Sequence, residues 1–311
     1  MKNNQKWFLV TGGTGFVGKN LTTFLTAQGH AVVGMGSKPD LSNEVEAEYV
    51  FSCFGNKFDY IVHGAARTAA GSWPSNHRAQ MFDTNMRINV NTFKMWHKYQ
   101  PQARMIALNS SCSYPGSIEY FAERDYWNGQ MHDSVETYGF TKKAMVIALQ
   151  GYKQEYGLKG TTVIPATLYG PHDHFDPDKS HVVSALIRKF VTAARENLPE
   201  VEVWGDGTQT REIMYVEDQF KGLVAVLDYD GPIINIGSGE AITIRELAET
   251  LKELTGYQGE IFFNTSRFVG NARKVSDISL AKQLYGWTTD IKIGGTKENL
   301  KKTVDWYQAN H

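Results

Sequence analysis

Nine residues near the start of the chain, Val10-Thr11-Gly12-Gly13-Thr14-Gly15-Phe16-Val17-Gly18, leave few folds open. They follow an apolar stretch with strand character, Lys6 to Val10, and open a stretch with helical spacing. Glycine at 12, 15 and 18 lets a strand-to-helix turn approach a pyrophosphate without side-chain collision. The helix that begins after Gly15 presents free N–H groups and a partial positive charge to such an anion. The plain alternative is a tight turn with no ligand, and a glycine triplet alone is weak evidence. A triplet between strand and helix points to a nucleotide-binding α/β domain.

The rest of the first half keeps that rhythm. Ala31 to Met35, Asp59 to His63, Arg104 to Asn109 and Thr161 to Pro165 read as further strands. Helices are expected over Gly15 to Gln28, Arg78 to Tyr99 and Val135 to Tyr156, and Asn43 is a candidate cap for a short one ending near Gly55. The fold class is therefore α/β, a Rossmann-type doubly wound parallel sheet with helices on both faces. After Tyr169-Gly170-Pro171 the rhythm changes to a His- and Asp-rich loop, an amphipathic helix from Val182 to Ala194, and short elements up to a helical end. The expected division is a nucleotide-binding domain over 1–168 with a return segment near 213–237, and a smaller α/β substrate domain over 169–212 and 238–311.

Composition excludes several classes. With 311 residues and a formal charge of -1, the chain has a large core and no basic field for nucleic acid or anionic membrane. No apolar run approaches the ~20 residues that span a bilayer, and the first residues are too short a lead for a signal peptide. Two cysteines, Cys53 and Cys112, give neither a disulfide framework nor a metal pattern. A cytoplasmic protein with no metal site is expected.

Chemistry enters at Tyr138 and Lys142, one helical turn apart, downstream of Ser110 and Ser111 at a strand end. A lysine cation beside a phenol favours the phenolate and is expected to lower the Tyr138 pKa. The tyrosine can then exchange a proton with a substrate oxygen while hydride moves at the adjacent carbon, and Ser110 can hydrogen-bond the same oxygen. The second strand ends in Gly36-Ser37-Lys38 with no acid before Asp40. NAD-specific sites place an acid there for the ribose hydroxyls, so Ser37 and Lys38 point to NADP(H) over NAD. The plain alternative is a solvated loop lysine.

Several segments carry a family resemblance: Asn109-Ser110-Ser111-Cys112-Ser113-Tyr114-Pro115, Tyr138 with Lys142, Leu168-Tyr169-Gly170-Pro171-His172-Asp173, Ser180-His181-Val182, Val203-Trp204-Gly205-Asp206-Gly207 and Arg211-Glu212. On these, nearly the whole chain resembles the extended short-chain dehydrogenases/reductases, and among them the epimerase-reductases of the GDP-L-fucose synthase type. The resemblance implies an NADPH-dependent enzyme that epimerises C3 and C5 and reduces C4 of a GDP-linked 4-keto-6-deoxy sugar. It implies a reductive triad of Ser110, Tyr138 and Lys142, and an acid/base pair of Cys112 and His181. It places Gly12, Thr14, Gly15, Phe16, Val17, Gly18, Ser37, Lys38, Ala65, Lys142, Pro165 and Leu168 at the cofactor. Thr167, His181, Lys189, Trp204, Arg211 and Lys274 fall at substrate positions, with Arg273 beside the last. A homodimer is implied through Met86, Val90, Phe93 and Met95 on one helix and Met145 and Leu149 on another; the same residues would serve as ordinary core.

Three departures fall in the substrate region. Thr167 replaces the family's asparagine, Val269 replaces an aspartate, and Lys189 replaces an arginine, a point charge in place of a fork. They leave the sugar open, and to a lesser degree the guanine. Two other readings stand beside the first: a 4-epimerase or reductase on another nucleotide sugar, and a non-catalytic protein that senses NADP. The second has no need of Tyr138 and Lys142.

Overall fold

A six-stranded all-parallel sheet runs through the first three-quarters of the chain, in the order β11-β6-β4-β3-β1-β2. Its strands are β1 (Trp7–Thr11), β2 (Ala31–Met35), β3 (Tyr60–His63), β4 (Arg104–Leu108), β6 (Gly160–Pro165) and β11 (Ile233–Ile236). The short β5 (Tyr120–Phe121) lies outside this sheet, paired with β14 (Val275–Ser276). The computed structural model describes residues 5–68, 76–177, 179–267, 273–288 and 293–311. Val269, one of the three departures, lies outside them.

The sheet strands are apolar runs because both faces are covered. On one face Leu9, Ile61, Met105 and Ala107 pack with Phe51, Phe93, Trp96, Met145 and Leu149 from the helices α2 (Glu44–Ser52), α3 (Arg78–Tyr99) and α4 (Glu136–Tyr156). On the other, Phe8, Val10, Val62, Ile106 and Val163 pack with Leu21 and Leu25 of α1 (Phe16–Ala27) and with Val216, Phe220 and Leu223. Asn43 caps α2, accepting from Val45 and Glu46 backbone N–H groups, as the sequence suggested.

A separate apolar cluster is built around α5 (Val182–Glu196), with Val183, Ile187, Phe190 and Val191 packed against Val201, Val203, Leu247, Leu251 and Val304. Strand β8 (Glu200–Trp204) pairs in parallel with β13 (Glu260–Asn264) beside it, and β7 (Thr167–Tyr169) pairs with β10 (Ile213–Tyr215). The helix after Thr243 is fixed by a capping box with Glu246.

The strand order reverses direction between β1 and β3. The carboxyl ends of these two strands, Thr11 and His63, open the crevice where doubly wound sheets bind ligands.

Candidate active site

The glycine turn sits in this crevice and is packed to contact. A Cβ on Gly18 would stand 2.1 Å from the Gly12 carbonyl oxygen, and one on Gly13 would stand 2.6 Å from the Gly34 backbone. Gly12 itself has φ +74° and abuts the backbone of Ala65. Helix α1 starts at Gly15 with no side-chain cap and no acid in its first turn. The first amides, those of Phe16 and Val17, are therefore unopposed by any local carboxylate, which suits a dinucleotide pyrophosphate. Ser37 and Lys38 are exposed past the end of β2. Asp40 is committed elsewhere: its Oδ1 accepts from Ser42 N–H at 2.9 Å and Ser42 O–H at 2.8 Å, and these bonds hold its carboxyl below the usual range. An acid tied up in this way does not compete for a ribose hydroxyl, and the loop fits NADP(H).

The strand end after β4 carries Ser110 and Cys112 on a single 3-10 turn, Ser111–Ser113. Ser110 caps that turn, its Oγ accepting from the Cys112 N–H at 3.2 Å. Helix α4 crosses directly over it, because residue 139 is glycine: a Cβ there would lie 2.4 Å from the Cys112 carbonyl oxygen. Tyr138 is thereby brought to Cys112. Asn109 locks the arrangement. Its Nδ2 donates to the Lys142 carbonyl at 3.0 Å, and its Oδ1 accepts from Ser110 N–H at 2.7 Å and Ser113 Oγ at 2.8 Å.

Lys142 is buried, and its Nζ donates to the Leu108 carbonyl at 2.8 Å, 5.7 Å from the centre of the Tyr138 ring. Desolvation brings its pKa down to about 8. The expected depression of the Tyr138 pKa is not found. Its dense surroundings first, and Cys112 second, push the phenol above its ordinary value. The lysine is aimed at a strand carbonyl instead of the phenol oxygen, so Tyr138 is held here as a neutral proton donor.

His181 occupies the N-cap position of α5 but makes no side-chain capping bond. Its ring is exposed by surface, yet crowded enough that burial lowers its pKa, while Asp173 pulls the other way. Asp173 is buried; it accepts from Ser184 Oγ of the same helix and from the His174 N–H at 2.7 Å. The loop leading to it is tethered to the nucleotide helix by Asn20, whose Nδ2 donates to the Pro171 carbonyl at 2.8 Å. Thr167, Pro165 and Leu168 lie half-buried on β6 and β7 at the same edge.

The expected diphosphate residues are already engaged. Lys189 Nζ donates to the Glu202 carbonyl at 2.6 Å and stands 3.9 Å from its carboxylate, and burial lowers its pKa. Trp204, half-exposed, donates from Nε1 to Glu202 Oε2 at 3.1 Å, and Arg267 and Asn264 donate to Oε1 at 3.2 and 2.7 Å. Arg211 Nη1 donates to the Thr210 carbonyl at 2.8 Å, and burial lowers its pKa. Lys274 is half-buried; its carbonyl accepts from Glu212 N–H at 3.1 Å. Arg273 borders a cavity of about 360 Å³ with Thr210, Gly239, Glu240 and Ala241. Glu202 and Gly139 carry no signal of these contacts in the sequence, whereas Asn109 lies in the Asn109-Ser110-Ser111-Cys112 motif.

Four of the six residues implied at a dimer face serve instead as ordinary core. Phe93, Met95, Met145 and Leu149 are buried in the chain's own core. Only Val90 is exposed and Met86 half-buried; the apolar residues that do face out beside them are Phe82, Phe140 and Ile147.

Comparison with known proteins shows the family of the chain. Residues 8–237 match the model of the NAD dependent epimerase/dehydratase family. The chain is 32% identical to a probable GDP-L-fucose synthase 1 of Oryza sativa subsp. japonica, over 97% of this chain and 92% of that one. It is 30% identical to a GDP-L-fucose synthase of Escherichia coli, over 97% and 96%. Among solved structures, a GDP-L-fucose synthetase from Naegleria fowleri superposes with a TM-score of 0.86 at 25% identity, covering 99% of this chain and 94% of that one.

Proposed function

We propose that this chain, which belongs to the NAD dependent epimerase/dehydratase family, is an NADPH-dependent epimerase-reductase acting on a GDP-linked 4-keto-6-deoxy sugar. The product is GDP-L-fucose or a close relative. The observation that carries the reading is the contact of two chemistries at one crevice: Cys112 and Ser110 on a strand-end turn, with Tyr138 and Lys142 on the helix pressed against it.

The steps follow from the groups. A 4-keto oxygen acidifies the hydrogens on C3 and C5, so a base on one face and an acid on the other invert each carbon. Cys112 and His181 take those roles, Asp173 orienting the field at His181. Ser110 Oγ and the Tyr138 phenol hydrogen-bond the enolate oxygen between proton transfers. NADPH, when bound on the glycine turn, supplies the hydride for C4. Tyr138, kept neutral by its surroundings, delivers the proton to the C4 oxygen, and the buried Lys142 holds the cofactor ribose.

Lys189 and Arg211 meet the diphosphate and Trp204 stacks near the nucleoside; Lys189 exchanges its Glu202 contacts for phosphate oxygens. The units built around the sheet and around α5 divide the work, cofactor on the first and nucleotide sugar on the second. Two copies pair through Phe82, Met86, Val90, Phe140 and Ile147, an apolar strip along α3 and α4. Among the described residues no helix is long and apolar enough to cross a membrane, and we place the enzyme in the cytoplasm.

Mixing the protein with GDP-4-keto-6-deoxy-mannose and NADPH tests the reading. NADPH oxidation that is lost in Tyr138→Phe, with NADPH binding intact, supports it. Tightly retained NAD and turnover without net oxidation would favour a 4-epimerase.

A further inference from the structure

A second polar chain crosses the molecule behind the site, and the mechanism above makes no use of it. Thr11 at the end of β1, His63 at the end of β3, Asn89 in α3 and Thr141 in α4 are all buried. The Ala65 N–H donates to Thr11 Oγ1 at 3.1 Å, and Thr11 Oγ1 and His63 Nδ1 are 2.8 Å apart. His63 Nε2 and Asn89 Oδ1 are 3.1 Å apart, and Asn89 Nδ2 donates to the Thr141 carbonyl at 3.1 Å.

The Asn89 end of this chain fixes its direction. An amide N–H only donates, so Thr11 Oγ1 accepts from Ala65 and has its own proton left for His63 Nδ1. A carbonyl only accepts, so Asn89 gives Thr141 its N–H and turns Oδ1 to His63 Nε2–H. The two inferences meet on one species, a neutral imidazole protonated at Nε2. A protonated ring would leave the Thr11 hydroxyl proton without its Nδ1 acceptor. Burial, with the Lys142 charge next, holds the His63 pKa down at about 4, which agrees with a neutral ring.

The row begins at the backbone that Gly12 touches and ends one residue before Lys142. We propose that His63, as its Nε2–H tautomer, is a positioning residue that sets the reach of helix α4, and so of Tyr138 and Lys142, relative to the cofactor turn. The role rests on the reductive function proposed for those two residues. His63 touches neither cofactor nor substrate; it acts through Thr11 on one side and Asn89 on the other. A misplacement of α4 by a fraction of an ångström would lower the chemical step and leave the glycine turn as it was.

The two halves of the imidazole can be tested separately. His63→Asn reproduces the Nδ1 position and keeps the Thr11 link; His63→Gln reproduces Nε2 and keeps the Asn89 link. NADPH affinity, kcat and Tm are measured for both beside the parent and Tyr138→Phe, with the ring nitrogens of the parent observed by 15N NMR. The expected result is a fall in kcat of about tenfold in His63→Asn, with NADPH affinity kept within about twofold and kcat largely rescued in His63→Gln. The His63 nitrogens should report Nε2–H at neutral pH. Equal kcat in both variants, or an Nδ1–H or charged ring, overturns the proposal. If either variant fails to fold, the nitrogen shifts of the parent still decide. An inactive parent would instead count against the proposed function, and the tautomer would be read regardless.

Discussion

Gly139 and Cys112 meet backbone to backbone: a single added carbon on residue 139 would lie 2.4 Å from the Cys112 carbonyl oxygen. The helix that carries Tyr138 and Lys142 can reach the strand end only because that carbon is absent. The neighbour is backbone, not a side chain that can swing away. Gly139→Ala should therefore cost about 1–3 kcal/mol of stability by thermal or chemical unfolding. Its kcat should fall further than NADPH binding does. An unchanged Tm would show that the helix has slack.

The proton and hydride chemistries separate by mutation. Cys112→Ser and His181→Asn should slow exchange of substrate C3 and C5 hydrogens with solvent by about 10²–10⁴-fold. Tyr138→Phe should lose NADPH oxidation outright and slow that exchange less than either of them, because Ser110 still holds the enolate oxygen. Proton NMR in deuterated buffer reads the first activity and absorbance the second. Loss of both activities in all three variants would mean the groups do not divide the work as stated.

The cofactor turn has no space for side chains. Gly18→Ala sets a methyl carbon 2.1 Å from the Gly12 carbonyl, so the turn must open. NADPH affinity should drop by at least about tenfold, near 1.4 kcal/mol, in a fluorescence titration.

Much of this was legible in the sequence, and the limits have physical reasons. The strand, the glycine turn and the Asn43 cap are local: each is specified by neighbours a few residues away. Tyr138 with Lys142 was legible because helical spacing places both on one face. What the sequence hid is contact between distant segments. Asn109 reaches the Lys142 carbonyl and Asn89 the Thr141 carbonyl, and an asparagine inside a strand end or helix gives no sign of its partner. Lys189 was legible as a cation, while the Glu202 that holds it was not. The orientation of α3 misled for a related reason. Apolar residues lie on two sides of that helix, and only packing shows that Phe93 and Met95 face the sheet and Val90 does not.

Burial of Lys142 has a pH signature. Its pKa in the folded chain is about 8, below the ordinary lysine value of 10.5. Between those two values the unfolded chain binds the extra proton, so this group adds stability as pH rises from about 8 to 10.5. At lower pH both states are charged and the folded one carries the desolvation cost. Lys142→Met should be more stable than the parent at pH 7, and the difference should narrow toward pH 10. A constant difference would contradict the assignment.

The apolar strip on α3 and α4 predicts association. Val90 and Ile147 are 54% and 62% exposed, so Val90→Glu with Ile147→Glu should leave the fold intact. Sedimentation should then shift from dimer to monomer. A parent that already sediments as a monomer would remove the pairing.

The central claim is that one crevice performs both epimerisation and reduction. Its most direct test is to run the reaction with GDP-4-keto-6-deoxy-mannose and NADPH in deuterated water and take the NMR spectrum of the product. The product should be GDP-L-fucose carrying deuterium at C3 and C5, formed with loss of NADPH. NADPH consumed to give a product with protium at both carbons would contradict it, leaving a simple C4 reductase.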